Sequence, residues 1–196
     1  MNPDDMAVFR YARLLLLLDL VQQDVPEGID AERLAVYDFL AVHPLLLARD
    51  PDDPDRLALL LAGFDDRALA YASAGQRLAT AQQHLTRDLT MLVRWEMVSM
   101  AASGRIRYRL TAHGRETAHQ LTAAYAHSYT TAARIVTRRL RRLSGRKLRE
   151  ALRRCITAVP INTAVPTYSG PPTHIAAPER PGFLPSSDFF PSKDTT

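Results

Sequence analysis

The residues best suited to chemistry in this chain are arginines. Between Arg134 and Arg154 ten cations (Arg134, Arg138, Arg139, Arg141, Arg142, Arg146, Lys147, Arg149, Arg153, Arg154) stand against one acid, Glu150. Spread over about six helical turns, such a face can grip a phosphate backbone without reading its sequence, with binding that falls steeply as salt rises. It can equally meet acidic residues of a protein partner, including the acidic head of another copy. The plainer alternative is a solvated helix face, and the density of charge argues against it. A second group lies upstream. Arg87, Thr90 and Arg94 share one face of an expected recognition helix, with Asp88 and Met91 exposed beside them, and Arg105, Arg107 and Arg109 alternate along an expected strand. An arginine on such a helix can read a guanine edge in the major groove, and the strand arginines can meet phosphates. Asp88 and Met91 fit DNA poorly, which leaves protein contact as the other use of this face.

Catalytic and metal-binding patterns are absent from the sequence. His113 and His119 are six apart, the wrong spacing for one helical face, and His43, His84, His127 and His174 add no ligand spacing to them. Asp52, Asp53 and Asp55 fall in a proline-broken loop with too few organised neighbours to hold a divalent cation, so the loop reads as a solvated connector. No Gly-rich phosphate loop or Gly-x-Ser-x-Gly elbow occurs. The single cysteine, Cys155, excludes an internal disulfide and reads as a small core residue on an apolar stripe. These readings point away from an enzyme and require no cofactor.

The elements that must position the arginines follow from periodicity. Met6 to about Gln22 reads as a buried helix, with Val8, Phe9, Ala12, Leu15, Leu16 and Leu18 around most of its circumference. Asp30 caps a second helix, Ala31 to about His43, which Pro44 ends. Leu57 to Leu61 is a short apolar helix. A polar helix over Gln76 to His84 precedes the recognition helix near Thr86 to Trp95, with Trp95 expected in the core. A Ser103-Gly104 turn leads into the alternating strand Arg105 to Leu110, whose Ile106, Tyr108 and Leu110 are expected to face inward. Thr111 caps a long helix, Ala112 to about Leu143, with an apolar stripe at Leu121, Tyr125, Tyr129, Ala132, Val136, Leu140 and Leu143. That stripe is expected to pack on the first helix or on a partner. Arg146 to about Thr157 forms a last amphipathic helix.

Charge and composition divide the chain. Residues 1–70 carry 14 acids and 6 bases, net −8, and residues 71–196 carry 7 acids and 19 bases, net +12. The apolar block Leu14–Leu18 is too short and too closely bracketed by charge for a secretory signal, and it falls well below the ~20 apolar residues of a membrane span. The expectation is a cytoplasmic protein with no membrane contact. From Ala158 the apolar periodicity stops, and eight of the 13 prolines lie between Pro160 and Pro191. This segment, 158–196, is expected to be a disordered tail. Phe183, Phe189 and Phe190 within it are candidate docking residues.

Three blocks resemble the middle component of bacterial ABC-three-component systems, close to the subgroup often numbered two. They are the LLLLLDL of Leu14–Leu20, the RLAVYDFLAVHP of Arg33–Pro44, similar to that family's R-L-x-x-x-D-x-L-x-V-H, and the AYAHSYTTAARIV of Ala124–Val136. The family's Gly-Leu-Val type turn into the wing is Glu96-Met97-Val98 here. The resemblance covers roughly residues 6–143. It implies a non-enzymatic subunit that joins an SMC-like ATPase to a third component in defence against phage or plasmids.

The fold expected is mainly α: a winged-helix domain over 1–157, with a small two-stranded wing between N-terminal helices and a long C-terminal helix. Contact with nucleic acid or an acidic partner is assigned to Arg138, Arg139, Arg141, Arg142, Arg146, Arg149, Arg105 and Arg107. Recognition falls to Arg87, Thr90 and Arg94, and partner docking to Leu121, Tyr125, Tyr129 and the tail phenylalanines. DNA and a second copy of the chain stand as further candidate partners. The alternative function is a homodimeric winged-helix transcription regulator.

Overall fold

The computed structural model describes residues 6–65 and 73–157. The expected tail, with Phe183, Phe189 and Phe190, lies outside the described residues.

The leucine run of the first helix becomes the post around which the rest is built. Helix α1 (Ala7–Asp24) buries Leu14, Leu15, Leu17, Leu18 and Val21, with Leu16 and Leu20 packed partly against the same core. Each such leucine contributes about 1.5–3 kcal/mol when taken out of water. In the first turn Val8 is exposed instead. The chain then turns at Gly28, which has a positive φ of 91°. A Cβ there would lie 2.5 Å from the Tyr108 carbonyl oxygen, so no other residue fits. Strand β1 (Ile29–Asp30) follows, and the Asp30 carboxylate accepts from the Arg33 N–H at 2.9 Å, capping α2 (Ala31–Val42). Pro44 stops α2 in a 3-10 turn over Pro44–Leu46. Short helix α3 (Arg56–Leu61) buries only Leu59.

Helix α4 (Ala74–Arg94) is one continuous helix of 21 residues, where a polar helix and a separate recognition helix were expected. No Gly, Pro or capping residue separates His84 from Thr86, and Leu85, Leu89 and Leu92 carry one buried stripe through the junction. Its exit is closed by two backbone bonds, Glu96 N–H to the Val93 carbonyl and Met97 N–H to the Leu92 carbonyl, both 3.0 Å. This Schellman ending needs a left-handed residue, and Glu96 supplies it at φ 56°. Glycine adopts that conformation at no cost, and here a glutamate carries it.

Strands β2 (Val98–Ser103) and β3 (Arg105–Leu110) form the expected hairpin. The two-residue β1 joins it to make a three-stranded antiparallel sheet in the order β1-β3-β2, with Ile29 and Met100 flanking Tyr108. Val98 and Leu110 at the base of the hairpin are buried, but Ile106 near its tip is 55% exposed. The inward direction expected for Ile106 fails because the hairpin runs out past the body. Trp95, expected in the core, is 42% exposed at the helix end, with one ring edge against Tyr11.

Thr111 accepts the Gly114 N–H at 3.0 Å and caps α5 (Ala112–Gln120) as expected. At Gly114 a Cβ would sit 2.0 Å from the Met97 carbonyl oxygen, so this helix can approach the hairpin only through glycine. The long helix expected from Ala112 to Leu143 is instead two, α5 and α6 (Ala124–Leu140), broken at Leu121–Ala123. No Gly or Pro marks the break. Helix α5 packs on α1 and β3 through Gly114 and Ala118, whereas α6 packs on α1 and α2 through Tyr129, Ala132, Ala133, Val136 and Leu140. One straight helix cannot serve both sets of contacts. Helix α7 (Gly145–Thr157) buries Leu148 and Leu152 and packs on α2. Among the described residues the chain is thus mainly helical with a small sheet, and no helix is long and apolar enough to cross a membrane.

Candidate functional site

Two buried ion pairs fix which faces are left for function. Helix α1 carries Arg10 and Arg13, about one turn apart. Arg10 donates to the Asp88 carboxylate of α4 through Nε at 2.6 Å and Nη2 at 3.2 Å. Asp88 is 2% exposed, so it faces inward rather than standing on the recognition face as expected. A buried carboxylate persists only when paired, and Arg10 is the pair. With Asp88 removed, Arg87, Thr90 and Arg94 stand exposed along one stripe of α4 without a carboxylate among them.

Arg13 makes the second pair. Its Nε and Nη2 meet the Asp38 carboxylate of α2 at 3.2 and 3.4 Å, and the Tyr129 hydroxyl of α6 donates to the same Asp38 at 2.8 Å. Three helices are thereby joined in the core. Burial works against the Arg13 charge, but Asp38 and the Tyr125 and Tyr129 hydroxyls outweigh it and hold the guanidinium pKa above its ordinary value. Burial and the adjacent Asp38 charge push the Tyr129 phenol well above its usual range. Tyr129 is therefore a core residue and not a docking residue. Tyr125 is half-buried with its ring edge-on to Phe9 at 5.3 Å, and Leu121 is half-buried. Of the two packing partners foreseen for the tyrosine stripe, the first helix is the one it meets.

The basic run is split by the acidic head of its own chain. Arg139 Nε donates to Asp55 at 2.7 Å and its Nη1 to Asp53 at 2.9 Å, while Arg138 also reaches Asp55. Arg141 pairs with Asp24 at 3.0 Å and Arg149 with Glu32 at 2.6 Å. The loop expected to be a solvated connector is thus a clamp on the end of α6. It is preorganised by turns in which Asp50 and Asp53 accept from Asp52 and Asp55 N–H. The hydrogen bond from Arg139 holds the Asp53 carboxyl below the ordinary aspartate range. Burial resists the same shift at Asp55, but Arg138 and Arg139 overcome it. Arg33 and Arg49 act similarly, donating to the Leu143 and Cys155 carbonyls at 2.7 Å each. Arg142 and Arg146 stay exposed with no ion pair among the described residues, as do Arg134, Lys147, Arg153 and Arg154. Burial raises the Cys155 thiol pKa, in keeping with a packing role.

On the hairpin, Arg105 and Arg109 are exposed, with Arg109 Nε on Ser99 Oγ at 3.2 Å. Arg107 is half-buried and donates to the Gly28 carbonyl at 3.1 Å, so it ties the hairpin to the turn before β1. A cavity of about 260 Å³ opens between α1, α2 and α4, lined by Arg10, Arg13, Asp38, His43, Arg77 and His84 among others. Among the described residues no group of three or more His, Cys, Asp or Glu is arranged to hold a metal ion. The arrangement offers binding surfaces: an arginine stripe on α4, a two-faced hairpin and an arginine-rich α7. No family model, curated protein or solved structure matches the chain.

Proposed function

We propose that the chain is a winged-helix adaptor: a non-enzymatic cytoplasmic subunit that joins an SMC-like ABC ATPase to a third component in antiphage or antiplasmid defence. The observation that carries the reading is the order of elements. A helix, a short strand, three further helices (α2, the short α3 and α4) and a hairpin follow one another, and the middle strand of the sheet is the last one made. We read this order as that of a winged helix, with α4 as its recognition helix and β2–β3 as its wing. The resemblance to the middle components supplies the partner class. Two of its blocks form the cores of α1 and α2, where Asp38 of the second holds Arg13 beneath the first. Within this fold the titratable groups at the centre are spent on joining helices, and the groups left outside suit binding.

One observation favours a transcription regulator as the second reading: Asp88 faces inward, so the α4 stripe Arg87, Thr90, Arg94 meets a major groove without an acid in the way. Footprinting on DNA flanking the gene separates the two. The adaptor gives either no protection or a salt-sensitive, sequence-indifferent pattern. A protected palindrome that disappears with Arg87→Ala and Arg94→Ala would replace the adaptor with the regulator.

A further inference from the structure

Strand β2 is an edge, since the sheet order is β1-β3-β2. Its six residues, Val98-Ser99-Met100-Ala101-Ala102-Ser103, include no charge and no proline. Edge strands that stay open in solution are ordinarily blunted by charge, proline or a bulge, because their free N–H and C=O groups are a template for another strand. The alternation of the ladder shows which groups are free. Leu110 N–H turns away from β2 to the Gln22 side chain at 2.9 Å, and Tyr108 pairs with Ile29 of β1. The β2–β3 bonds therefore run through Ser99, Ala101 and Ser103, and Val98, Met100 and Ala102 direct their backbone groups outward. Among the described residues none of these three has another backbone partner. The side chains add an apolar patch on the same strip. Met100 is 56% exposed, and Ile106, its diagonal neighbour across the ladder, is nearly as open.

We propose that β2 is the seam of a homodimer, in which two copies pair their β2 strands antiparallel about a two-fold axis through Met100. Reversing the strand about that residue sets Met100 against Met100 of the second copy and Val98 against Ala102. All three outward residues then find partners and none is left over. Self-complementarity of this kind is what a two-fold interface demands. The two Met100 side chains meet on the face that already carries Ile106, closing one apolar strip, and methionine adapts well to such a contact. Charge selects a second copy over a charged strand, because the seam is neutral along its whole length. The arginines of β3 lie on the opposite face and three strand spacings from their counterparts, roughly 14 Å. That exceeds the screening length of about 8–10 Å. The inference stands apart from the adaptor reading, since it uses only the edge of the sheet.

The test is sedimentation equilibrium of the full chain over micromolar concentrations, beside Met100→Lys and Ala102→Pro. The proline removes an outward N–H and leaves the β2–β3 bonds intact. The wild type is expected to sediment as a dimer and both variants, with unchanged helical circular dichroism, as monomers. Register is read separately in a Cys155→Ser background. A mixture of Ser99→Cys and Ala101→Cys proteins should form a disulfide dimer that neither forms alone. A monomeric wild type, folded variants that still dimerise, or cross-linking that is equal in the mixture and the single proteins would overturn the seam.

Discussion

At the residue scale, the decisive groups are the carboxylates that α1 draws inward. Asp38 accepts from Arg13 and Tyr129 at once, so its removal takes a charged partner from a buried guanidinium and an acceptor from a buried phenol. Asp38→Ala is therefore expected to cost about 3–5 kcal/mol in unfolding free energy, with most of the loss remaining in Asp38→Asn. Chemical denaturation measures it, and a loss below ~1 kcal/mol would remove the triad from the account. The sequence displayed Asp38 within a block that resembles a family pattern, and it displayed Arg13 at the head of the leucine run. It did not display that the two meet, because their pairing depends on how α1 crosses α2. Asp88 was misplaced for the same reason: a charged residue in an amphipathic helix reads as exposed until the arginine that neutralises it is known.

At the element scale, the acidic loop and the basic helix end must be read as one unit. The loop alone resembles a solvated segment and the helix end a surface for an outside partner, and only the fold brings Asp53 and Asp55 to Arg138 and Arg139. Both aspartates have folded pKa values below the ordinary one. Their pairing thus adds stability that is present above the unfolded value of about 3.9 and is lost as pH falls through the lowered folded values. Thermal unfolding followed against pH should show a stability loss below about pH 4 that is shallower in Arg139→Gln. At neutral pH that variant should lose on the order of 1–2 kcal/mol. An identical pH profile in the two proteins would show that the clamp carries no linked protons. Helix cores, caps and the hairpin were legible, since periodicity, Asp30, Thr111 and the Ser103-Gly104 turn are local signals. The break between α5 and α6 and the two-residue β1 were not, because packing sets both and neither has a propensity signature.

At the scale of the whole molecule, the head of net −8 and the body of net +12 partly neutralise each other within one chain. Arg138, Arg139, Arg141 and Arg149 are spent in this way, which moves the candidate contact surface to Arg142, Arg146 and the exposed arginines of α4 and the hairpin. Charge asymmetry was legible as two surfaces, but their mutual contact was not, since net charge carries no geometry. The described residues combine an apolar core crossed by buried ion pairs, a neutral strand edge and outward arginines, which suits the binding subunit proposed. Purification of the tagged protein from its native host at moderate salt, followed by mass spectrometry, tests that claim most directly. A large coiled-coil ATPase recovered in a fixed ratio to the chain is the expected result; recovery of the chain on one defined DNA sequence, with no ATPase present, would contradict the adaptor reading.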